Sequence, residues 1–131
     1  MLTRNQKYAA QAFEQVTRVQ SQSQLSEIDR RKYGAMAHRL PVLIRSAGLA
    51  QALHFVHSRQ DSAGPHKLLA HMAEVVDEPD VAALLARSRT GELADYMRLT
   101  RDLLAALAWY KRFAQSVLGV QAGDEPQGEN T

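Results

Sequence analysis

The chain has 131 residues, 45% of them hydrophobic and 23% charged, with no cysteine and a net charge of +2. That length suits one domain with one modest core, and the missing cysteines exclude disulfides and thiolate chemistry, so a reducing cytoplasm fits best. No apolar run approaches the ~20 residues of a membrane span, and the opening MLTRNQKYAAQ lacks the apolar core of a signal peptide.

Apolar residues recur at helical spacing throughout, and no stretch alternates like a strand. Thr3 and Gln6 read as a capping box opening a first helix over about Arg4 to Gln20. Tyr8, Ala12, Val16 and Val19 form its apolar stripe, with Phe13 beside it. SQSQ (21–24) is a polar loop, and Ser26 caps a second helix from about Glu27. There Tyr33, Met36, Ala37, Leu40, Ile44 and Ala47 share a face. Pro41 predicts a kink or a brief break, because it removes a backbone donor. Gly48 is placed to end this helix in a left-handed conformation. A short third helix follows, from Leu49 to about Ser58, with Leu49, Ala52, Leu53 and Val56 inward.

RQDSAG (59–64) reads as a loop, and Pro65 can open a fourth helix that runs to about Val76. DEPD (77–80) punctuates the chain before a fifth helix, Asp80 to Ser88. Thr90 is the expected cap of the last and longest helix, to about Leu118. The remainder, GVQAGDEPQGENT, is rich in glycine, proline and acids. The expected organisation is therefore an all-α single-domain bundle of about five to six helices over 1–118, with a disordered acidic tail over 119–131.

The last helix contains LAWYKRFAQ (107–115), which holds the chain's one tryptophan. At ~100° per residue, Tyr96, Leu99, Leu103, Ala106, Leu107, Tyr110, Phe113, Ala114 and Val117 fall on a core face. Arg98, Arg101, Asp102, Ala105, Trp109, Arg112 and Ser116 fall opposite, with Lys111 on the flank. A tryptophan among arginines reads in three ways: covered within the fold, set in a protein interface, or stacked on a base. On the second helix, Arg31, His38 and Arg45 form one stripe, and Lys32 and Arg39 another. An ordinary solvated face is the competing explanation of both.

Charge is unevenly spread. Residues 1–60 carry nine cations against three acids, residues 61–95 three against seven, and residues 96–118 four against one. The basic ends suit a polyanionic partner. His54 and His57 are three apart, but no HExxH or third ligand accompanies them, so no metal site is expected. Asp77, Glu78 and Asp80 read as helix caps and dipole partners. No nucleophile elbow and no glycine-rich phosphate loop is present, so neither catalysis nor a cofactor is expected.

Three stretches together resemble a known family: YAAQAFEQV (8–16), YGAMAHRLPVLIRSAGLAQALHFVHSR (33–59) and YMRLTRDLLAALAWYKRFAQSVL (96–118). They are similar to the small subunit of the type III-B CRISPR effector, the Cmr RNA-guided complex. LPVLIRSAGLAQAL (40–53) and the segment 100–114 are the most specific pieces, and the three cover about half the chain. The resemblance implies an all-helical, non-catalytic subunit of an antiviral complex. It implies several copies stacked beside backbone subunits and a large subunit, along the channel that holds the guide–target RNA. It also implies that Arg39, Arg45, Arg98, Lys111 and Arg112 serve RNA binding, through phosphates, or assembly. Trp109 and Arg101 are interface candidates. Membrane partners are not implied. Two other classes are compatible with the residues: a helix-turn-helix DNA regulator built on 43–56, and a homomeric helical scaffold without nucleic acid.

Overall fold

Thr3 opens α1 (Arg4–Ser21) with a complete capping box: its hydroxyl accepts from the Gln6 N–H at 3.0 Å, and Gln6 Oε1 accepts from the Thr3 N–H at 2.9 Å. Ser26 caps α2 (Glu27–Ala47) through the Asp29 N–H. Then come α3 (Leu49–His57), α4 (Ala63–Val75), α5 (Val81–Thr90) and α6 (Leu93–Ser116). The computed structural model describes residues 1–59 and 63–124, and among these there are six helices and no strand. The fold is all-α, with α6 the longest element.

α2 is the central helix, packing on α3, α4 and α6, while α1 lies chiefly along α6. The predicted stripes turn inward. Tyr8, Ala12, Val16 and Val19 on α1 are buried, as are Leu49, Ala52, Leu53 and Val56 on α3. α2 runs unbroken through Pro41, which is itself buried, so of the expected kink or break the break does not occur. Packing on several sides holds the helix together across the missing donor.

Gly48 (φ +91) joins α2 to α3, and its N–H bonds the Ile44 carbonyl at 2.9 Å. Tyr96 reaches over from α6, and its hydroxyl accepts the Ala50 N–H at 3.2 Å, so α6 supplies the cap that α3 lacks. At the far end of α4, Asp77 adopts φ +61, and the Glu78 N–H closes onto the Ala73 carbonyl at 2.9 Å. Asp80 caps α5 through the Ala83 N–H at 2.8 Å.

Three boundaries differ from expectation. Thr90 does not cap α6; it is the last residue of α5, with its hydroxyl donated to the Ala86 carbonyl, and Glu92 takes the N-cap position. α4 begins at Ala63, two residues before Pro65, and residues 60–62 of the expected loop lie outside the described residues. The third concerns the tail. Its first residues turn back to the body, with Val120 only 3% exposed. Residues 125–131, the rest of the expected disordered segment, lie outside the described residues.

α2 and α4 approach closely at Gly64. A β-carbon there would lie 2.2 Å from the Asp29 carbonyl oxygen and 2.7 Å from the Tyr33 nitrogen. Next to this crossing, buried Tyr33, Tyr110 and Gln15 make hydrogen bonds among themselves and to half-buried His71 and exposed Glu74. The Tyr33 hydroxyl donates to His71 Nδ1 at 2.7 Å, the Tyr110 hydroxyl donates to Gln15 Oε1, and Gln15 Nε2 donates to Glu74. Burial lowers His71 to a pKa of about 4, so it is neutral and accepts from Tyr33. Burial likewise raises Tyr33 and Tyr110, keeping both hydroxyls protonated.

Candidate partner and RNA interface

The cations singled out in the sequence occupy two surfaces. On α6, Arg98, Arg101, Lys111 and Arg112 are all exposed. The span from Arg98 to Arg112 is about 21 Å of helix. Arg101 lies 3.4 Å from Asp102, which also receives Arg4 from α1 at 3.3 Å. Arg98, Lys111 and Arg112 make no ion pair among the described residues, and alanines 105 and 108 are exposed between them. The face is therefore low-relief and cationic, with exposed Leu93 and Met97 at its start.

The second surface lies on α2 and α3. Residues 30–60 contain six cations and not one acid. Arg45 is exposed and has no ion pair among the described residues, whereas Arg39 is half-buried and holds its guanidinium 5.7 Å from the centre of the Phe55 ring. Phe55 and the nearby helix residue Val42 are 42% and 59% exposed. The expected stripe of Arg31, His38 and Arg45 breaks up. Arg31 pairs with Glu27 one turn back at 3.5 Å, and His38 is buried, with Nε2 2.8 Å from the Val120 carbonyl. The docked segment after Gly119 covers His38, which the helical wheel of α2 had left outside.

Trp109 belongs to the fold as well as to the surface. Its indole stacks on Phe113 at 5.9 Å, and Phe113 takes the edge of Phe13 at 5.3 Å. Trp109 and Phe113 are both half-buried, so Phe113 stands at the margin of the core and not within it as the helical wheel placed it. Tyr110 is fully buried. The ring cluster fills the seam between α1 and α6, and Phe13 exposes its remaining surface there.

The histidine pair does not converge on one point. His54 Nδ1 donates to the Ala50 carbonyl at 2.8 Å, and Nε2 accepts from Arg89 at 3.1 Å. His57 stacks on His66 at 5.9 Å. Among the described residues, no group of three or more histidines and acids is arranged to hold a metal ion. The helix–glycine turn–helix at 43–56 is present, but α3 buries four of its nine residues and exposes only Gln51, Phe55 and His57. That is a poor set for reading base edges.

Sequence reasoning missed the polar cluster of Gln15, Tyr33, His71 and Glu74. A signal was available: Gln15 lies directly before Val16 in an inward stripe, and His71 lies next to Met72 in another. It also missed the acidic clamp on Arg87. This guanidinium spans from Glu78 at 3.2 Å to Asp95 at 2.9 Å, tying the start of α6 to the 77–80 turn. The Arg87 hydrogen bond holds Asp95 below its ordinary pKa, and the Asp95 hydrogen bond raises Arg87. Much of the acidic middle is thus spent inside the domain.

Known proteins agree with this architecture. Residues 4–117 match the family described as "CRISPR-associated protein (Cas_Cmr5)". The chain is 44% identical over 119 residues to the CRISPR system Cmr subunit Cmr5 of Thermus thermophilus, covering 90% of this chain and 98% of that one. A crystal structure of a CRISPR-associated Cmr5 family protein from Thermus thermophilus superposes with a TM-score of 0.81 at 42% identity, covering 89% of this chain and 98% of its own. The match spans every helix and reaches the end of α6, so the chain belongs to the CRISPR-associated Cmr5 family.

Proposed function

We propose that this chain is a non-catalytic structural subunit of a type III-B CRISPR (Cmr) effector complex in the cytoplasm, acting in antiviral defence. Copies of it stack with one another and with the backbone and large subunits along the guide–target RNA. The name of the Thermus relative, a Cmr subunit, supports the membership. One observation carries the RNA part: Arg98, Lys111 and Arg112 project from the exposed side of α6 and make no ion pair among the described residues, with only the charge of Asp95 acting on Arg98. Unpaired guanidinium and ammonium groups along a rigid rod suit phosphates, which are read by charge and position without regard to sequence. The surface of Arg39 and Arg45, with Phe55 and Val42 exposed beside them, suits contact with a protein neighbour.

The test combines assembly with a salt series. Arg39, Arg45, Arg98, Lys111 and Arg112 are changed to glutamine, singly and together, and incorporation into a reconstituted complex and RNA association are measured. Each lost phosphate contact should flatten the log–log salt slope by roughly 0.7 for a single strand. If the combined variant assembles and holds RNA normally across the series, the basic surfaces do not serve this role. The non-catalytic reading fails if the pure chain cleaves RNA or DNA in a divalent cation-dependent way.

A further inference from the structure

The chain beyond the family match turns back onto the fold. After α6, Gly119 adopts φ +71 with no atom within 4 Å of where a side chain would stand. Val120 then drops into a notch that Gly34 leaves on α2. A β-carbon on Gly34 would meet Val120 Cβ at 2.7 Å, so this seat exists only because residue 34 is glycine. The Val120 N–H donates to the Ala114 carbonyl at 2.9 Å, and the Val120 carbonyl accepts from His38 Nε2 at 2.8 Å. Further along, Ala122 and Gly123 line a cavity of about 390 Å³ with Ala35, His38, Arg39 and Val42.

These α2 positions lie on one face, because residues four apart stack along a helix. The strip is covered at Gly34, Ala35 and His38 and is open at Val42, which is 59% exposed. Three observations mark the cover as weakly held. One buried side chain and two hydrogen bonds fasten Val120 to the body and one 3.3 Å amide bond joins Gln121 to Gln115, few contacts by the standard of elements that open last. Val120 stands outside the contiguous core that the six helices build. In the docked arrangement His38 Nδ1 is also buried without a hydrogen-bond partner, a costly state for a polar atom. The family match ends at residue 117, before this segment.

We propose that residues 120–124 are a releasable latch, hinged at Gly119, that covers the Gly34–Ala35–His38–Val42 strip of α2 while the subunit is alone and opens when the subunit enters its complex. The opening step rests on the function proposed above; the latch itself does not.

The chain has no cysteine, so Gly34→Cys with Val120→Cys can form only one intramolecular disulfide. An outward shift of about 1 Å at the hinge brings the two β-carbons to the usual ~3.8 Å. In the unmodified chain, the Val120 amide should exchange with deuterium at least about tenfold faster than core amides such as that of Leu103. The oxidised double variant should enter the reconstituted complex about tenfold more slowly than its reduced form, and reductant should restore the rate. Val120→Asp, which leaves α2 untouched, should speed exchange in residues 119–123 without slowing entry. Core-like protection of the Val120 amide would overturn the latch. Equal entry of oxidised and reduced forms would overturn its regulatory role. If no form of the chain enters the complex, the proposed function fails, while the exchange result still decides the latch.

Discussion

The indole N–H of Trp109 donates to Asn5 Oδ1 at 2.8 Å, joining the middle of α6 to the first turn of α1 across 104 residues of sequence. The ring is half solvent-facing, yet it is fastened to its own fold. A partner meeting this side of α6 meets a pre-positioned ring, which need not be ordered on contact.

The ring cluster should therefore respond in graded fashion. Full truncation of a core aromatic costs about 3–5 kcal/mol, and Tyr110→Ala should fall at or above that range because its hydroxyl partner Gln15 is stranded too. Phe113→Ala and Trp109→Ala, each half-buried, should cost about half as much. Trp109→Phe keeps an aromatic ring beside Phe113 but loses the Asn5 bond and part of the indole's packing, for about 1–2 kcal/mol. Urea denaturation of the four variants ranks them. A Trp109→Ala loss equal to that of Tyr110→Ala would place the tryptophan in the core.

Stability should fall in mild acid because of His71. Its pKa is lowered from 6.5 to about 4 by burial, so the unfolded chain takes up a proton that the folded chain refuses. The stabilisation is fully present above about pH 6.5 and is lost as pH falls toward 4, to a total of about 3 kcal/mol. His71→Leu should flatten this window while lowering stability at pH 7, because Tyr33 loses its acceptor. Denaturation midpoints at pH 7, 6 and 5 for both proteins are the check; parallel curves would show that other groups govern the acid response.

Gly64→Ala should be among the most damaging small substitutions. The added methyl would meet main-chain atoms of α2, which cannot rotate away as a side chain can. Overpacking typically costs about 1–3 kcal/mol, and this contact should reach or pass the upper end. Thermal melting against Ala63→Gly, at an exposed neighbouring position, separates crowding from helix propensity.

Arg87→Ala should destabilise more than Arg18→Ala or Arg31→Ala. Arg87 holds two acids from different elements and is itself about three-quarters buried, whereas Arg18 and Arg31 each pair with one exposed acid on the same helix. The Arg87 effect should also persist in high salt, where the other two vanish. Equal effects at 1 M salt, a Debye length of ~3 Å, would contradict this.

Sequence signals are legible where local chemistry decides. Thr3 with Gln6, Ser26 and Gly48 announce helix ends because caps act within three or four residues. The inward stripes of α1 and α3 are legible because a single apolar face is buried. Thr90 misleads because a threonine hydroxyl can also bond back to the carbonyl four residues earlier, inside a helix. His38 and Val120 mislead for a different reason. Their pairing crosses 82 residues, and a composition rich in glycine and acids hides one valine that fits one notch. Among the site residues, the exposure of Arg45, Arg98, Arg101, Lys111 and Arg112 follows from periodicity, while the Arg39–Phe55 contact depends on how α3 folds back over α2.

The pairing of α1 with α6 has a consequence for how the chain is made. The stripe of Tyr8, Ala12, Val16 and Val19 is made before the other five helices, and its main partner is the last of the six. Until α6 emerges, this face has only minor contacts to cover it, and such transiently exposed surface is what chaperones bind and aggregates grow from. The fold therefore closes only once α6 has been made, by contact between its first and last helices, despite the local nature of the helices themselves. A messenger that stalls translation before residue 93 would yield a nascent chain with fluctuating helical turns and no settled core.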